Sequence, residues 1–316
     1  MTCPVGHAPT ELPTATDGVS ATSDVGDRFE RFTGSVFVGL FAAALFDQTM
    51  LPAVAAALED TGRIRYGPVQ RALRTAASDQ IVFVGDEVDR RAEAERLVRL
   101  HRDVKGVGAN GVRYSALNPQ SWNWILISTF FMHRGAFVAV TGERLSAADD
   151  QAIWDRFRQL TADLQLPGRS ALIENYGELS SYYDQMAVDS LEATAMLDRV
   201  VEHALRPARP NFLPAAAAPL WQLTVGEAGH FLAVLGFGIM RPEVRARVPM
   251  TWNRRHDVEF AIATAALRIA YRRLPARLTD TPLARNRRQY QRIMNKYKGI
   301  GLASFVPDRP GSAGAP

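Results

Sequence analysis

A single cysteine, Cys3, is all the thiol chemistry that 316 residues contain. One thiol excludes an intramolecular disulfide and any cysteine-built metal cluster, and a reducing, cytoplasmic setting is the expectation. An excess of charge of one sign is also missing: 37 basic residues face 33 acidic ones, for a formal net charge of +4. That balance offers no basic blanket, so no nucleic-acid partner is expected. Long hydrophobic runs are lacking too. The longest, Val36 to Phe46, is closed by Asp47 and falls well short of the roughly 20 residues that span a bilayer, so it reads as a buried helix. The opening residues lack the basic and then apolar regions of a signal peptide, and nothing in them marks the chain for export. Alternating Val/Ile/Thr runs bounded by tight-turn dipeptides, the mark of strands, are almost absent.

What is present is a chain that is 47% hydrophobic, enough for one large core. Residues 1–27 are rich in Thr, Ser, Pro, Gly and Asp, and 301–316 have a similar composition; both read as flexible tails that cannot repay the entropy of ordering. Between them, over 28–300, apolar residues recur at three- and four-residue spacing. The reading is an all-α fold, a single globular domain of about eight to ten helices. These are expected at about 28–58, 67–80, 86–105, 119–141, 146–165, 170–204, 216–240, 254–274 and 281–298. Ser146 is a natural N-cap, Pro275 a stop, and Thr281-Pro282 a fresh cap followed by an N1 proline.

The stretch "RLVRLHRDVKGVGANGVRY" carries two competing signals. Its glycines match a dinucleotide fingerprint, but that motif needs a strand before the glycines and a helix after them. Here a helix precedes, so Gly106 reads as a helix C-cap and Asn110-Gly111 as a turn. Upstream, Leu97, Leu100, His101 and Val104 fall on one helical face as a buried stripe, while Arg96, Arg99, Arg102 and Asp103 point elsewhere. His101 is then either a core histidine satisfied by one hydrogen bond or a metal ligand; a buried, neutral imidazole is what a haem iron needs on its proximal side. His7, His133, His203, His230 and His256 show no H-E-x-x-H or related spacing, so a zinc or di-iron carboxylate site has no support from spacing. Arg71 and Thr75 lie one helical turn apart with Arg74 beside them. They form either an exposed basic helix edge or a guanidinium and hydroxyl held over a pocket.

The segments "RALRT", "RLVRLHRDVKG", "GVRYSALNPQSWNWILIST", "GERLSAADDQAIWDRFRQLTADLQLP" and the block from "GFGIMRPEV" to "LARNRR" occur in an order and spacing that resemble the mpaB and rubber-oxygenase catalytic-domain family, which includes the latex-clearing proteins. The resemblance covers roughly residues 30 to 290. It implies an all-α domain with a globin-like pocket for one haem b, using dioxygen as co-substrate on lipophilic or natural-product substrates, by oxygen insertion or oxidative C=C cleavage. It assigns His101 as proximal iron ligand, Arg71 and Thr75 as the pair flanking the distal pocket, and Lys105, with Arg74, as cofactor-binding cations. An electron donor would complete such a system.

Two positions depart from the family pattern. Leu126 stands where many members carry a histidine in "WVHAT", and Lys105 stands where some have arginine, which keeps the charge but loses the bidentate fork. These departures bear on the reaction more than on haem binding, and leave a peroxidase-like haem oxidoreductase acting on a small aromatic or amino-acid-derived molecule, or a non-catalytic haem-binding scaffold, as alternatives. Cys3-Pro4 resembles a haem-regulatory dipeptide and reads as incidental. Trp122, Trp124, Phe130, Phe131 and Phe137 most simply fill the core. The basic stretch "RNRRQYQRIMNKYK" is either a solvated helix face or a peripheral contact with an acidic membrane surface.

Overall fold

The computed structural model describes residues 24–300 except 63–67, 110, 167–170, 207–208, 210–213, 215 and 217. Residues 1–23 and 301–316 of the two expected tails lie outside the described residues, while Val25–Asp27, expected in the first tail, open α1 (Val25–Thr33). The described chain is mainly helical, as the periodicity requires. After α1 come a 3-10 helix (Val38–Met50), α2 (Pro52–Asp60), α3 (Pro68–Val84) and α4 (Glu87–His101). A two-stranded hairpin follows, β1 (Lys105–Val107) and β2 (Arg113–Ser115), then α5 (Pro119–Thr141), α6 (Ala147–Leu160), α7 (Tyr176–Asp189), α8 (Ala195–Leu205) and α9 (Ala218–Gly238). The chain ends in α10 (Pro242–Arg245), α11 (Arg254–Arg273), α12 (Ala276–Thr279) and α13 (Pro282–Gly299).

The central element is α5. The Asn118 side chain accepts from the Gln120 and Ser121 backbone N–H groups, Pro119 opens the first turn, and Gly142 closes the helix in the left-handed region. Its length and composition would let it cross a membrane, but most of it is buried inside this fold. Trp124, Phe130 and Phe137 are fully enclosed and pack with Phe29 and Phe32 of α1, Trp154 and Phe157 of α6, and Tyr183 of α7 in one dominant core. Trp122 is buried as well, and Phe131 is half-buried, so the expected core role of these aromatics holds. The 3-10 helix is clamped between α5 and α9. There Gly236 of α9 lies so close to Ala43 and Ala44 that a Cβ would fall 2.8 Å from the Ala44 backbone nitrogen.

Three expected elements are different in the structure. The helix expected over 28–58 is three pieces: α1 stops at Gly34, and the chain turns by 100° at Leu51, which precedes Pro52 and is forced out of the α region to ψ 119°. The helix expected over 170–204 divides at 190–194, where Thr194 caps a new start. The helix expected to 105 ends at His101, and Gly106 is not its cap: it lies in β1 opposite Tyr114. The turn beyond it does form, with Gly111 at φ 77°, while Asn110 lies outside the described residues. The other end signals act as expected. Ser146 and Asp149 form a reciprocal capping box, and Thr281 Oγ1 accepts from the Ala284 N–H at the start of α13.

Candidate active site

α3 and α4 form an antiparallel hairpin around Gly85 and Asp86, and Asp86 caps α4 by accepting from the Asp89 N–H. Its register is fixed inside by Glu93. This buried carboxylate takes the Ser78 hydroxyl from α3 and two guanidinium N–H groups of Arg96, at 2.6 and 2.7 Å. Arg96, together with Ser78, holds the Glu93 carboxyl below its ordinary range against the effect of burial. Extended toward the open end of the hairpin, this register brings Arg74 and Thr75 level with Arg96 and Leu97, and Arg71 level with Leu100 and His101. At that end the packing stops. Residues 72–77, more than a full turn of α3, are exposed on every face although Ala72, Leu73, Ala76 and Ala77 are apolar.

His101 is the last residue of α4 and is half-buried. Its Nδ1 lies 2.8 Å from the Leu97 carbonyl, which can only accept, so Nδ1 carries a hydrogen, and in the neutral ring Nε2 is the nitrogen with the lone pair. The imidazole meets Trp122 edge-on at 5.6 Å, and the Trp122 indole N–H is fixed in turn on the Leu164 carbonyl. The stripe read from the sequence is thus partly correct: Leu97, His101 and Val104 are half-buried, whereas Leu100 is exposed. Thr75, Arg74 and Lys105 are exposed, and Lys105 opens β1 four residues beyond His101. Arg71 lies on α3, and its side chain lies outside the described part of the structure.

A second constellation was not read from the sequence. Asp47, the residue that ends the long apolar run, is buried where the 3-10 helix meets α5 and α7. One carboxylate oxygen accepts from Ser128 of α5 and the other from the Tyr183 phenol of α7 at 2.9 Å. Burial pushes the Asp47 carboxyl up to about 7, against the opposing pull of those two hydrogen bonds, and burial beside Asp47 likewise pushes the Tyr183 phenol up. The pair borders a cavity of about 100 Å3 whose rim carries Arg134 and Arg241. Arg134 is paired bidentately with Asp150, and the Arg241 guanidinium lies 5.0 Å over both Phe131 and Tyr183. The fold also gathers His230 of α9 with His256 and Glu259 of α11, a group that spacing along one segment cannot reveal because its members come from two helices.

With this architecture in view, comparison with known proteins gives a consistent class. The sequence model of the family described as ER-bound oxygenase mpaB/B'/rubber oxygenase, catalytic domain, matches residues 29–269. The chain belongs to this family and carries its oxygenase catalytic domain. Two uncharacterized proteins, one from Mycobacterium tuberculosis and one from Mycobacterium bovis, are each 27% identical to it over 226 residues, covering 69% of this chain and 80% of each relative. No solved structure matches it.

Proposed function

We propose that the protein is a haem-b-dependent oxygenase acting on a lipophilic or natural-product alkene or aromatic substrate, with His101 as the proximal iron ligand. The observation that carries this reading is the Nδ1–H bond from His101 to the Leu97 carbonyl. It sets the tautomer and ring orientation that an Nε2 ligand needs, as second-shell hydrogen bonds do at metal sites. The residues around it suit a flat apolar group: Trp122 stands against the imidazole, and the bare turn of α3 carries Leu73 and three alanines beside the end of α4. Haem, when bound, supplies the electron-transfer and dioxygen chemistry that no side chain offers.

The rest of the assignment concerns what this chain's own groups do. Thr75, from α3, offers a hydroxyl at the level of α4's last turns, and Arg71 is its partner one turn earlier; together they would donate hydrogen bonds where negative charge builds on dioxygen. Arg74 and Lys105 are exposed cations suited to the carboxylates of a haem edge. Supply of a lipophilic substrate would be served by α13 and the Ile300 that follows it, which expose Tyr290, Ile293, Tyr297 and Ile300 among Arg292, Lys296 and Lys298, a composition that favours an anionic lipid surface.

Dioxygen uptake by the haem-loaded, reduced protein with an isoprenoid alkene tests the reading. His101→Ala is expected to abolish turnover, and Arg71→Ala to lower it by about 10²-fold or more, the usual cost of one charge-stabilising donor. Full activity after Arg71→Ala would remove that residue from the mechanism. Turnover with peroxide but not with dioxygen would move the protein to the peroxidase class.

A further inference from the structure

We propose that His230, His256 and Glu259 form a binding site for a divalent transition-metal ion, with zinc the best fit, where α9 crosses α11. One donor atom from each of the three residues lies within 4.8 Å of the others. His230 Nε2 stands 2.7 Å from one Glu259 carboxylate oxygen, and the His256 ring centroid is 5.7 Å from that of His230. A tetrahedral ion with metal–ligand bonds of about 2.0–2.2 Å holds neighbouring donors about 3.3–3.6 Å apart, so the His230–Glu259 contact would open by less than about 1 Å and the other separations, within 4.8 Å, need close only slightly. Two imidazoles with one carboxylate suit zinc and its neighbours far better than magnesium or calcium, which take oxygen donors.

The surroundings favour an ion over a plain ion pair. A His–carboxylate pair uses one imidazole, and here a second, His256, brings its own donor atom within 4.8 Å of the other two. Glu259 is limited to one donor oxygen, because Arg255 Nε binds the other at 2.7 Å. All three residues are half-buried, which lets water complete the coordination shell. His256 and Glu259 share a face of α11 at i and i+3, so the ion would staple that face to α9. Trp252 packs against the His256 ring at 5.3 Å, with the Arg245 guanidinium 4.4 Å over the indole, and closes one side.

Occupancy has a definite local consequence. At present His256 Nδ1 accepts the Asn253 backbone N–H at 3.1 Å, half of the capping box at the start of α11. With Nδ1 accepting, the neutral ring carries its hydrogen on Nε2, so ligation by either nitrogen gives up that bond. The helix start survives, because Asn253 Oδ1 still accepts from the Arg255 N–H at 3.0 Å.

Calorimetric titration of the purified full chain with a zinc salt, in the absence of chelators, tests the site. The expected result is one zinc ion per chain, with affinity reduced about tenfold or more in His230→Ala, His256→Ala and Glu259→Gln. Arg255→Ala, which frees the second carboxylate oxygen, should bind zinc at least as tightly as the wild type. Circular dichroism of each variant separates loss of a ligand from loss of the fold. No zinc uptake by the wild type overturns the proposal, and so does uptake that persists unchanged in all three ligand variants, which would place the ion elsewhere. Neither outcome bears on haem, which is read by its own absorption.

Discussion

Asp47 is a carboxyl taken wholly out of water, and its chemistry follows from that. In the unfolded chain it ionises near the ordinary value of 3.8, but in the fold it ionises only near 7. At pH 4 the folded state holds the proton and the unfolded state is close to its own midpoint. As the pH rises toward 7 the unfolded state loses its proton while the folded state keeps it, so stability falls across that window and levels off above it. Asp47→Asn removes this titration. Chemical denaturation at pH 4.5 and at 8 should show a drop in stability that is smaller in the variant than in the wild type, by up to about 3 kcal/mol, since each pH unit separating the two ionisations is worth about 1.4 kcal/mol and part of that separation lies below pH 4.5. Equal drops in the two proteins would mean that Asp47 titrates normally and that the buried network with Ser128 and Tyr183 stays charged. The histidines divide by the same logic of partners. His133 is fully buried, its Nδ1–H on the Thr129 carbonyl, whereas His101 makes the same i−4 bond at a half-exposed helix end.

At the scale of elements, the α3–α4 hairpin decides how the candidate site is built. Glu93 is its internal clasp, so Glu93→Ala should destabilise the protein by about 1–3 kcal/mol, moderated because Arg96 is half-exposed and can turn to water. Thermal unfolding measures the effect. A change within error would show that helix packing, not the Ser78–Glu93–Arg96 network, sets the register. Much of this level was legible in the sequence. Periodicity gave the helical class and most helices, and Ser146, Pro275 and Thr281 marked ends where the structure has them. The break at Leu51 was harder, because the buried apolar run before it carries little periodicity to interrupt. The Leu51-Pro52 dipeptide was nonetheless a usable signal. His101 stood out on its face, and motif order raised it to a ligand candidate. Asp47 was visible only as the end of an apolar run, since nothing local announces partners 81 and 136 residues away. His230, His256 and Glu259 were invisible for the same reason: two helices must meet before they form a group.

For the whole molecule, the chain belongs to the oxygenase family and His101 ends α4; the central proposal built on them is that His101 would hold a haem and leave room for dioxygen. The most direct measurement is the visible absorption spectrum of the haem-supplied protein, oxidised, reduced, and reduced under carbon monoxide, compared with His101→Ala. The account predicts a Soret band that shifts when carbon monoxide is added to the reduced protein, and that is lost or clearly altered in the variant. Protein that stays colourless with haem supplied, or a spectrum that His101→Ala leaves unchanged, would contradict it.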